Sequence, residues 1–399
     1  MSSHLLSTKL QSMSQSATIA MAQKARELKS QGIDIISLSL GEPDFDTPDF
    51  IKDAARDAVY AGYTKYTPVP GLVELREAIC TKLKRDNHLD YAIDQIVVSN
   101  GAKQCIANVC LALLNPTDEV IIFTPYWVSY FEIVKFSGGQ PKPLFAGIDQ
   151  NFKVTPEQLE AAINDKTKLI IFSSPSNPTG SVYTEEELKA LSAVISKHND
   201  LFVLSDEIYE YICFQGKNPS IAAQPGMYDR TITVNGMSKG FAMTGWRLGY
   251  MAAPKWIASA CAKVQGQFTS GATSFGQKAA SIALLRQPAD LDYMKTKFLE
   301  RKELVKNKLG AIPGVKINDP QGAFYFFPDI SDFFGKSNGT RRINDADEFV
   351  DVLLDEAHVA AVTGRAFGDP NSFRISYATS NDVLEEAMDR IARVLATYS

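Results

Sequence analysis

The sequence predicts an α/β protein, with a large domain whose mostly parallel sheet lies between two layers of helices, and a smaller α+β domain. From Ile96 onward, short apolar runs rich in β-branched residues alternate with helical segments, which is typical of parallel strands buried on both faces. After Leu284 the pattern changes to a long charged helical segment, short strands and two more helices. A chain of 399 residues has room for about two domains. We place the large domain at 48–285 and the small one at 286–399, which segment 1–47 joins.

Two kinds of hydrophobic spacing predict the individual elements. Apolar residues that recur at three- and four-residue steps predict helices at 17–31, 49–61, 72–84, 104–114, 128–136, 185–197, 291–309, 346–356 and 382–397. Short apolar runs predict strands at 96–99, 119–123, 169–174, 202–206, 231–235, 249–253, 323–327, 359–362 and 372–376. Segment 331–342, rich in Gly, Ser and Asn, is predicted to be a loop.

Composition argues against several classes of function. A net charge of -5 disfavours nucleic acid as a partner. No window approaches the roughly 18 apolar residues of a membrane span, and the first residues lack the apolar run of a secretory signal. The five cysteines are scattered without a CxxC pair, and the four histidines show no metal-ligand spacing. We therefore expect a cytoplasmic protein with reduced thiols, no membrane contact and no bound metal.

The segment 235–249, NGMSKGFAMTGWRLG, carries the strongest chemical signal. It surrounds Lys239 with the small residues Gly236, Ser238, Gly240 and Ala242. A lysine that only faces solvent needs no small neighbours, whereas one bonded to a flat cofactor does. Lysine amines form Schiff bases with carbonyl groups, and pyridoxal phosphate is the usual protein-bound aldehyde. Arg247 is spaced to pair with a phosphate. The alternative is a Gly/Ser-rich loop with an incidental lysine.

Other candidates follow the ends of predicted strands, where the sites of α/β sheets collect. Asp206 ends an apolar strand, and a half-buried carboxylate there needs a cation such as a protonated pyridine nitrogen. Tyr209 and Asn177 could hydrogen-bond the ring oxygen of such a cofactor. Each has an ordinary alternative, namely a helix cap for Asp206, packing for Tyr209 and a turn for Asn177.

Three further features could bind anions or rings. Gly101, Ala102 and Lys103 lie where a helix begins, so their N–H groups could hold a phosphate. Trp127 could stack on the cofactor, although packing in a core is the commoner fate of a tryptophan. Arg374, between apolar neighbours in a short strand, requires a carboxylate. That carboxylate could belong to a substrate or, equally, to a structural ion pair.

Taken together, the motifs resemble the aspartate aminotransferase family (class I, fold type I, pyridoxal phosphate dependent). NPTG, SDEIY, SK…WRLG and FRISYA occur in family order, and the similarity runs from GEPDF to SYATS. SATIA and the run KGFAMTGWRLGY point in particular to the bacterial subgroup that carries SATxA. The resemblance implies a seven-stranded sheet, pyridoxal 5′-phosphate as cofactor, and a homodimer with active sites at the subunit interface. It also implies a small domain that closes over the substrate.

The resemblance further implies a role for each candidate residue. Lys239 would bond to the cofactor and carry the proton, and Asp206 would pair with the pyridine nitrogen. The remaining cofactor contacts would come from Tyr209, Asn177, Trp127, Gly101, Ala102, Lys103, Ser238, Arg247 and, from a second subunit, Tyr66. The substrate would be held by Arg374, Asn177, Trp127, Gly41, Lys103, Ser16 and Thr18.

The chain departs from the family pattern in two places, and a third position bears on prephenate. Gly236 replaces a serine that often binds phosphate, with Ser238 at best a partial substitute. Segment 265–274 holds no arginine for a distal carboxylate, a role that this subgroup gives to the lysine matching Lys103 and to the SATxA segment. Members that also use prephenate tend to have a basic residue where this chain has Ser14, which disfavours prephenate.

We expect amino transfer from L-aspartate to 2-oxoglutarate, giving oxaloacetate and L-glutamate by a ping-pong route. One alternative is the same chemistry with another donor or acceptor (aromatic, alanine or prephenate). Another is a pyridoxal-phosphate-dependent lyase acting on a sulfur or sulfonium amino acid. A non-catalytic binding protein is disfavoured because Lys239, Asp206 and Arg374 occur together.

Overall fold

The computed structural model describes residues 5–399. In chain order, strands β1 to β12 are Ile36–Ser37, Ile96–Ser99, Glu119–Thr124, Gln140–Phe145, Thr167–Ser173, Phe202–Asp206, Thr231–Gly236, Gly249–Ala252, Tyr325–Phe326, Val359–Ala360, Val362–Thr363 and Phe373–Ser376. Helices α1 to α13 are Thr8–Gln11, Ala17–Ser30, Asp49–Tyr60, Val73–Asn87, Ala102–Leu113, Ser129–Phe136, Pro156–Ala162, Glu185–Ile195, Lys255–Phe268, Ser274–Leu285, Asp292–Gly310, Ala346–Asp355 and Asn381–Leu395. None of the helices within 5–399 combines the length and apolarity that crossing a membrane requires.

Seven strands form the large sheet, in the order β2-β8-β7-β6-β5-β3-β4. Neighbouring strands run parallel except β8, which is antiparallel to both β7 and β2. Along β2, Ile96 and Val98 pack with α4 and α10, whereas Val97 packs with α5 and α9 on the opposite face. Because both faces are covered, the strands are nearly continuous apolar runs. The predicted seven-stranded, mostly parallel sheet between helices is confirmed.

Four elements of the large sheet and its covering helices were not predicted from the sequence. Strand β4 reads QPKPLF, and two prolines in six residues argue against a strand. It forms nevertheless because it lies at the edge of the sheet, where proline is tolerated. Helices α7, α9 and α10 were also missed. Helix α10 is rich in Ala, Ser and Gly and is mostly buried, so its sequence shows little contrast between a polar and an apolar face.

The C-terminal third of the chain forms a smaller layer of short strands and helices. Strands β11, β12 and β9 make an antiparallel sheet, and the N-terminal strand β1 pairs in parallel with β10. The predicted strand at 359–362 is two short strands, β10 and β11. Helices α11, α12 and α13 pack around these strands in one apolar cluster. The division into 1–47, 48–285 and 286–399 stays a prediction.

The fold brings the ends of several strands to one place. Strands β5, β6 and β7 are parallel neighbours, so their carboxyl ends meet at one edge of the sheet. The loops that follow them carry Asn177, the end of β6 carries Asp206, and Lys239 follows β7. Arg374, in the middle of β12, faces this edge from the smaller layer and contacts Asn177. A cleft between two layers is a common place for a small-molecule site.

Candidate active site

A cavity of about 360 Å³ lies at this edge of the sheet, a volume typical of small-molecule sites. Most of the residues predicted from the sequence line it, namely Ser16, Thr18, Gly41, Ala102, Lys103, Trp127, Asn177, Asp206, Tyr209, Ser238, Lys239, Arg247 and Arg374. Gly101 directly precedes helix α5, which forms one wall. Tyr66 is fully exposed and does not line the cavity. Its predicted action from a second subunit stays a prediction.

Lys239 projects into the middle of the cavity. Its Nζ donates a hydrogen bond to the carbonyl oxygen of Gly41, and it lies 5.7 Å from the ring centres of Tyr209 and of Phe324. Burial, reinforced by the positive charge of Arg374, lowers the pKa of this amine to about 8. A substantial fraction is therefore uncharged slightly above neutral pH. The uncharged amine is the form that can attack a carbonyl or accept a proton.

Asp206 is the last residue of β6 and is only 4% exposed. Its Oδ2 accepts a hydrogen bond from the Tyr130 hydroxyl at 2.6 Å, and its Oδ1 accepts one from the Ile208 N–H at 3.2 Å. Burial raises the pKa of Asp206 to about 6, although both hydrogen bonds act in the opposite direction. Within residues 5–399, no lysine, arginine or histidine forms an ion pair with it. The carboxylate is thus a buried anion that lacks a cation.

We expect the substitution Asp206→Asn to stabilise the cofactor-free protein, and to do so more at high pH. The pKa of Asp206 rises from 3.8 to about 6 on folding, so its burial costs nothing below pH 3.8 and the full amount above pH 6. The gain should be about 3 kcal/mol at pH 8 and roughly half of that at pH 5. Denaturant unfolding at both pH values measures it. The exposed control Asp200→Asn should change stability by less than ~0.5 kcal/mol at either pH, and an equal gain at both pH values for Asp206→Asn would contradict the prediction.

Arg374 supplies the opposite charge, at 1% exposure. Its Nη1 donates to Asn177 Oδ1 at 2.9 Å and its Nη2 donates to the Ser39 carbonyl oxygen at 2.5 Å, while its buried Nε has no partner. The guanidinium lies 4.7 Å from the ring centre of Tyr325 and 4.8 Å from that of Phe367. No carboxylate of the described chain forms an ion pair with it. A buried cation without a counter-ion is costly, which favours a bound anion over a structural ion pair.

A second set of cations lines the wall at the start of helix α5. Gly101 has a φ of +85°, and a Cβ there would lie 3.0 Å from the Arg247 Cζ, so glycine lets the guanidinium approach the backbone. The Lys103 Nζ lies 4.9 Å from the ring centre of Trp127, and partial burial together with Arg247 lowers its pKa. Two cations therefore converge beside the free N–H groups of a helix terminus. This arrangement suits a phosphate.

Two tyrosines at the site were not predicted. The Tyr130 hydroxyl donates a hydrogen bond to the Asp206 carboxylate. The sequence offered one sign of this role, because Tyr130 lies at the start of a helix, three residues after Trp127. Tyr325 shares a hydrogen bond of 2.7 Å with the Tyr209 hydroxyl and lies under the Arg374 guanidinium. It therefore links two predicted residues from opposite layers. Its surroundings, GAFYFF, look like an ordinary buried strand, so the sequence shows little sign of this role.

Comparisons with known proteins find relatives over nearly the whole chain. Residues 33–391 match the family model described as aminotransferase class I and II. An aspartate/prephenate aminotransferase of Cereibacter sphaeroides is 48% identical over 397 residues, with 99% of each chain covered. The aspartate aminotransferase of Bacillus subtilis is 45% identical, covering 99% of this chain and 100% of the relative.

Solved structures show the same similarity. An aspartate aminotransferase from Rhizobium meliloti superposes with a TM-score of 0.96 at 42% identity, covering 99% of both chains. The Thermus thermophilus aspartate aminotransferase, solved with maleate, gives a TM-score of 0.92 at 40% identity over 98% of this chain and 99% of the other. On the family match, these relatives and the shared fold, the chain belongs to the aminotransferase class I and II family.

Proposed function

We propose that this chain transfers the amino group of L-aspartate to 2-oxoglutarate, giving oxaloacetate and L-glutamate. The supporting observation is one arrangement of charges, in which the Lys239 amine, with its pKa of about 8, shares a cavity with an unpaired buried anion, Asp206, and an unpaired buried cation, Arg374. Asp206 and Arg374 each lack a counter-ion that a cofactor or an amino acid would supply. Relatives named aspartate aminotransferase, similar over the full chain, support the choice of donor.

The residues present fit pyridoxal 5′-phosphate, the cofactor of this family. The buried Asp206 carboxylate, which lacks a cation, suits a protonated pyridine nitrogen. The wall where Lys103 and Arg247 lie beside Gly101 suits a phosphate. Lys239 suits an aldehyde because its amine is uncharged in a fraction of the molecules. Once bound, the cofactor acts as an electron sink for the pair of electrons left on the substrate Cα.

The chain's own residues then have distinct tasks. Asp206 keeps the pyridine nitrogen protonated, and the Lys239 Nζ takes the proton from the substrate Cα and can return it. Tyr209 and Asn177 offer hydrogen-bond donors for the ring oxygen, and Trp127 offers a flat surface for stacking. Arg374 binds the α-carboxylate through its planar guanidinium, with the Asn177 amide beside it.

A second carboxylate on the substrate has partners in the same cavity. Lys103 contributes a cation, and Ser16 and Thr18 contribute hydroxyl groups from the start of helix α2. Aspartate and 2-oxoglutarate each carry two carboxylates, and maleate, found in the Thermus relative, is also a dicarboxylate. This set of partners favours dicarboxylic substrates over alanine or phenylalanine.

The proposal includes a homodimer in the cytoplasm, with Tyr66 of each copy entering the site of the other. Tyr66 is fully exposed, and two hydrogen bonds hold the chain a few residues after it. The buried Gln265 donates to the Val69 carbonyl oxygen at 2.8 Å, and Gln277 accepts from the Leu72 N–H at 2.8 Å. An exposed aromatic side chain suits contact with a second molecule.

A panel of amino donors with the purified protein tests the function. We expect kcat/KM for aspartate to exceed that for alanine or phenylalanine by about 100-fold, because only aspartate pairs a second carboxylate with Lys103. Initial rates with aspartate and 2-oxoglutarate varied together should give parallel reciprocal lines. Intersecting lines, or a preference for phenylalanine, would contradict the proposal. Product formation without any 2-oxo acid would indicate a lyase instead.

Prephenate is the second candidate acceptor. It is favoured by relatives named aspartate/prephenate aminotransferase, among them the 48% identical protein of Cereibacter sphaeroides. Ser14 counts against it, since it contributes no cation to the larger cavity of about 1050 Å³ that adjoins the site. Glutamate plus prephenate, added to the same panel, separates the two candidates.

A further inference from the structure

The turn that follows β6 presents side chains to two sides. Asp206 and Tyr209 line the cavity, whereas Glu207 and Glu210 do not. Both glutamates are nevertheless buried, at 1% and 8% exposure. Successive residues of a strand point to opposite faces, so Ser205, which contacts Glu207, lies on the face opposite Asp206. Ionisable groups are therefore buried on both sides of one short segment.

Glu210 is held by helix α4, which covers that opposite face. The fully buried Lys82 forms an ion pair with Glu210 Oε1 and donates to Asn87 Oδ1 at 2.8 Å. Asn87 Nδ2 in turn donates to Glu210 Oε2 at 3.1 Å. The Lys82 Nζ also lies 5.5 Å from the ring centre of Tyr211. These contacts form a closed triangle that fixes both oxygens of the Glu210 carboxylate.

Glu207 has its own fixed partners. Its Oε1 accepts hydrogen bonds from the Ser205 hydroxyl at 3.0 Å and from the Ser220 hydroxyl at 2.6 Å. Burial raises the pKa of Glu207 to about 8, so at neutral pH the side chain is mostly uncharged. It takes no part in the proposed chemistry because it does not line the cavity.

Stability alone is a weak explanation for the burial of Lys82, Glu207 and Glu210. A buried ion pair replaced by apolar side chains of similar volume is often as stable or more so. Hydrogen bonds are directional, however, whereas apolar contacts are not. The same turn carries Asp206 and Tyr209. The hydrogen bonds of Glu207 and Glu210 therefore limit how far the Asp206 carboxylate and the Tyr209 phenol can shift in the cavity.

We propose that the buried Lys82–Glu210 ion pair and Glu207 form a positioning device that holds Asp206 and Tyr209 in register with the cofactor from the opposite face of the sheet. The inference rests on the proposed function, since it concerns where those two side chains meet the cofactor. The three residues themselves touch neither substrate nor cofactor.

The test compares Lys82→Met, Glu210→Met and the double variant of both. Each single variant leaves one buried charge unpaired and should lower the melting temperature. The double variant should recover the melting temperature to within about 3 °C of the original protein. Its dissociation constant for pyridoxal 5′-phosphate should nevertheless remain about tenfold higher, which is a loss of roughly 1.4 kcal/mol. The pH midpoint at which the visible absorbance of the loaded enzyme changes should shift as well.

A control ion pair and a second pair of variants complete the experiment. Lys153→Met removes a 2.6 Å ion pair with Glu187 away from the cavity, and should leave cofactor affinity and absorbance unchanged. Glu207→Ala should weaken cofactor binding about tenfold, whereas Glu207→Gln, which keeps the volume and an acceptor, should not. This pair decides the matter if the double variant does not fold.

The outcomes separate the two proposals. A double variant with recovered melting temperature and unaltered affinity and absorbance would show a merely structural ion pair and overturn the inference. Unaltered binding by Glu207→Ala would do the same. If the original protein fails to bind pyridoxal 5′-phosphate at all, the proposed function is overturned, and the inference with it.

Discussion

Replacing Lys239 with alanine is expected to lower the rate of transamination by roughly 10³-fold and to remove the visible absorbance of covalently bound cofactor. The Nζ is the only cavity amine placed beside Asp206 and Tyr209 in the described chain, and its pKa of about 8 leaves part of it uncharged. Loss of a positioned proton-transfer group costs about 10²- to 10⁴-fold. Single-turnover rates and absorbance spectra measure both effects.

A control lysine and a label sharpen this test. Lys255 is exposed, pairs with Asp94 at 2.8 Å and lies outside the cavity, so Lys255→Ala should behave like the original protein. Borohydride reduction followed by peptide mapping should place the cofactor label on Lys239. Ordinary turnover by Lys239→Ala, or a label on another residue of the cofactor-loaded protein, would refute the assignment.

The substitution Arg374→Met is expected to separate function from stability. We expect kcat/KM for aspartate to fall about 100-fold or more, because the α-carboxylate loses its charged partner. The melting temperature should stay the same or rise, since a buried cation without a counter-ion is removed. Steady-state kinetics, maleate binding and thermal unfolding measure the three quantities.

Arg374→Lys provides the matched comparison. Lysine keeps the charge but lacks the planar fork that reaches both Asn177 and the Ser39 carbonyl oxygen. Its kcat/KM should therefore lie between those of the original protein and Arg374→Met. A clear loss of stability in Arg374→Met with unchanged kcat/KM would mean that Arg374 is structural.

Much of the site could be predicted because a parallel sheet gathers the ends of its strands. Asp206 and Lys239 follow apolar runs in the sequence, and such runs become neighbouring strands with their carboxyl ends together. Polar residues directly after such runs are therefore brought together whatever their separation in the chain. Asn177 joined them for the same reason.

The supporting residues could not be predicted, because their partners lie far away in sequence. Lys82 looks like a solvent-facing lysine in an amphipathic helix, yet it is fully buried against Glu210, 128 positions later. Tyr325 sits in a run of phenylalanines and joins Tyr209 only through the contact between the two layers. Pairings of this kind depend on how the layers pack, which local patterns do not encode.

Strand β4 has a consequence for how the chain behaves among many copies of itself. The Gln140 N–H points to β3 and donates to the Asp118 carbonyl oxygen at 2.8 Å, so Pro141 and Pro143, at the alternate positions, face outward. Neither has an N–H to offer, and Lys142 between them adds a charge. The open margin of the sheet therefore resists intermolecular strand addition, which protects a crowded, newly made protein from aggregation.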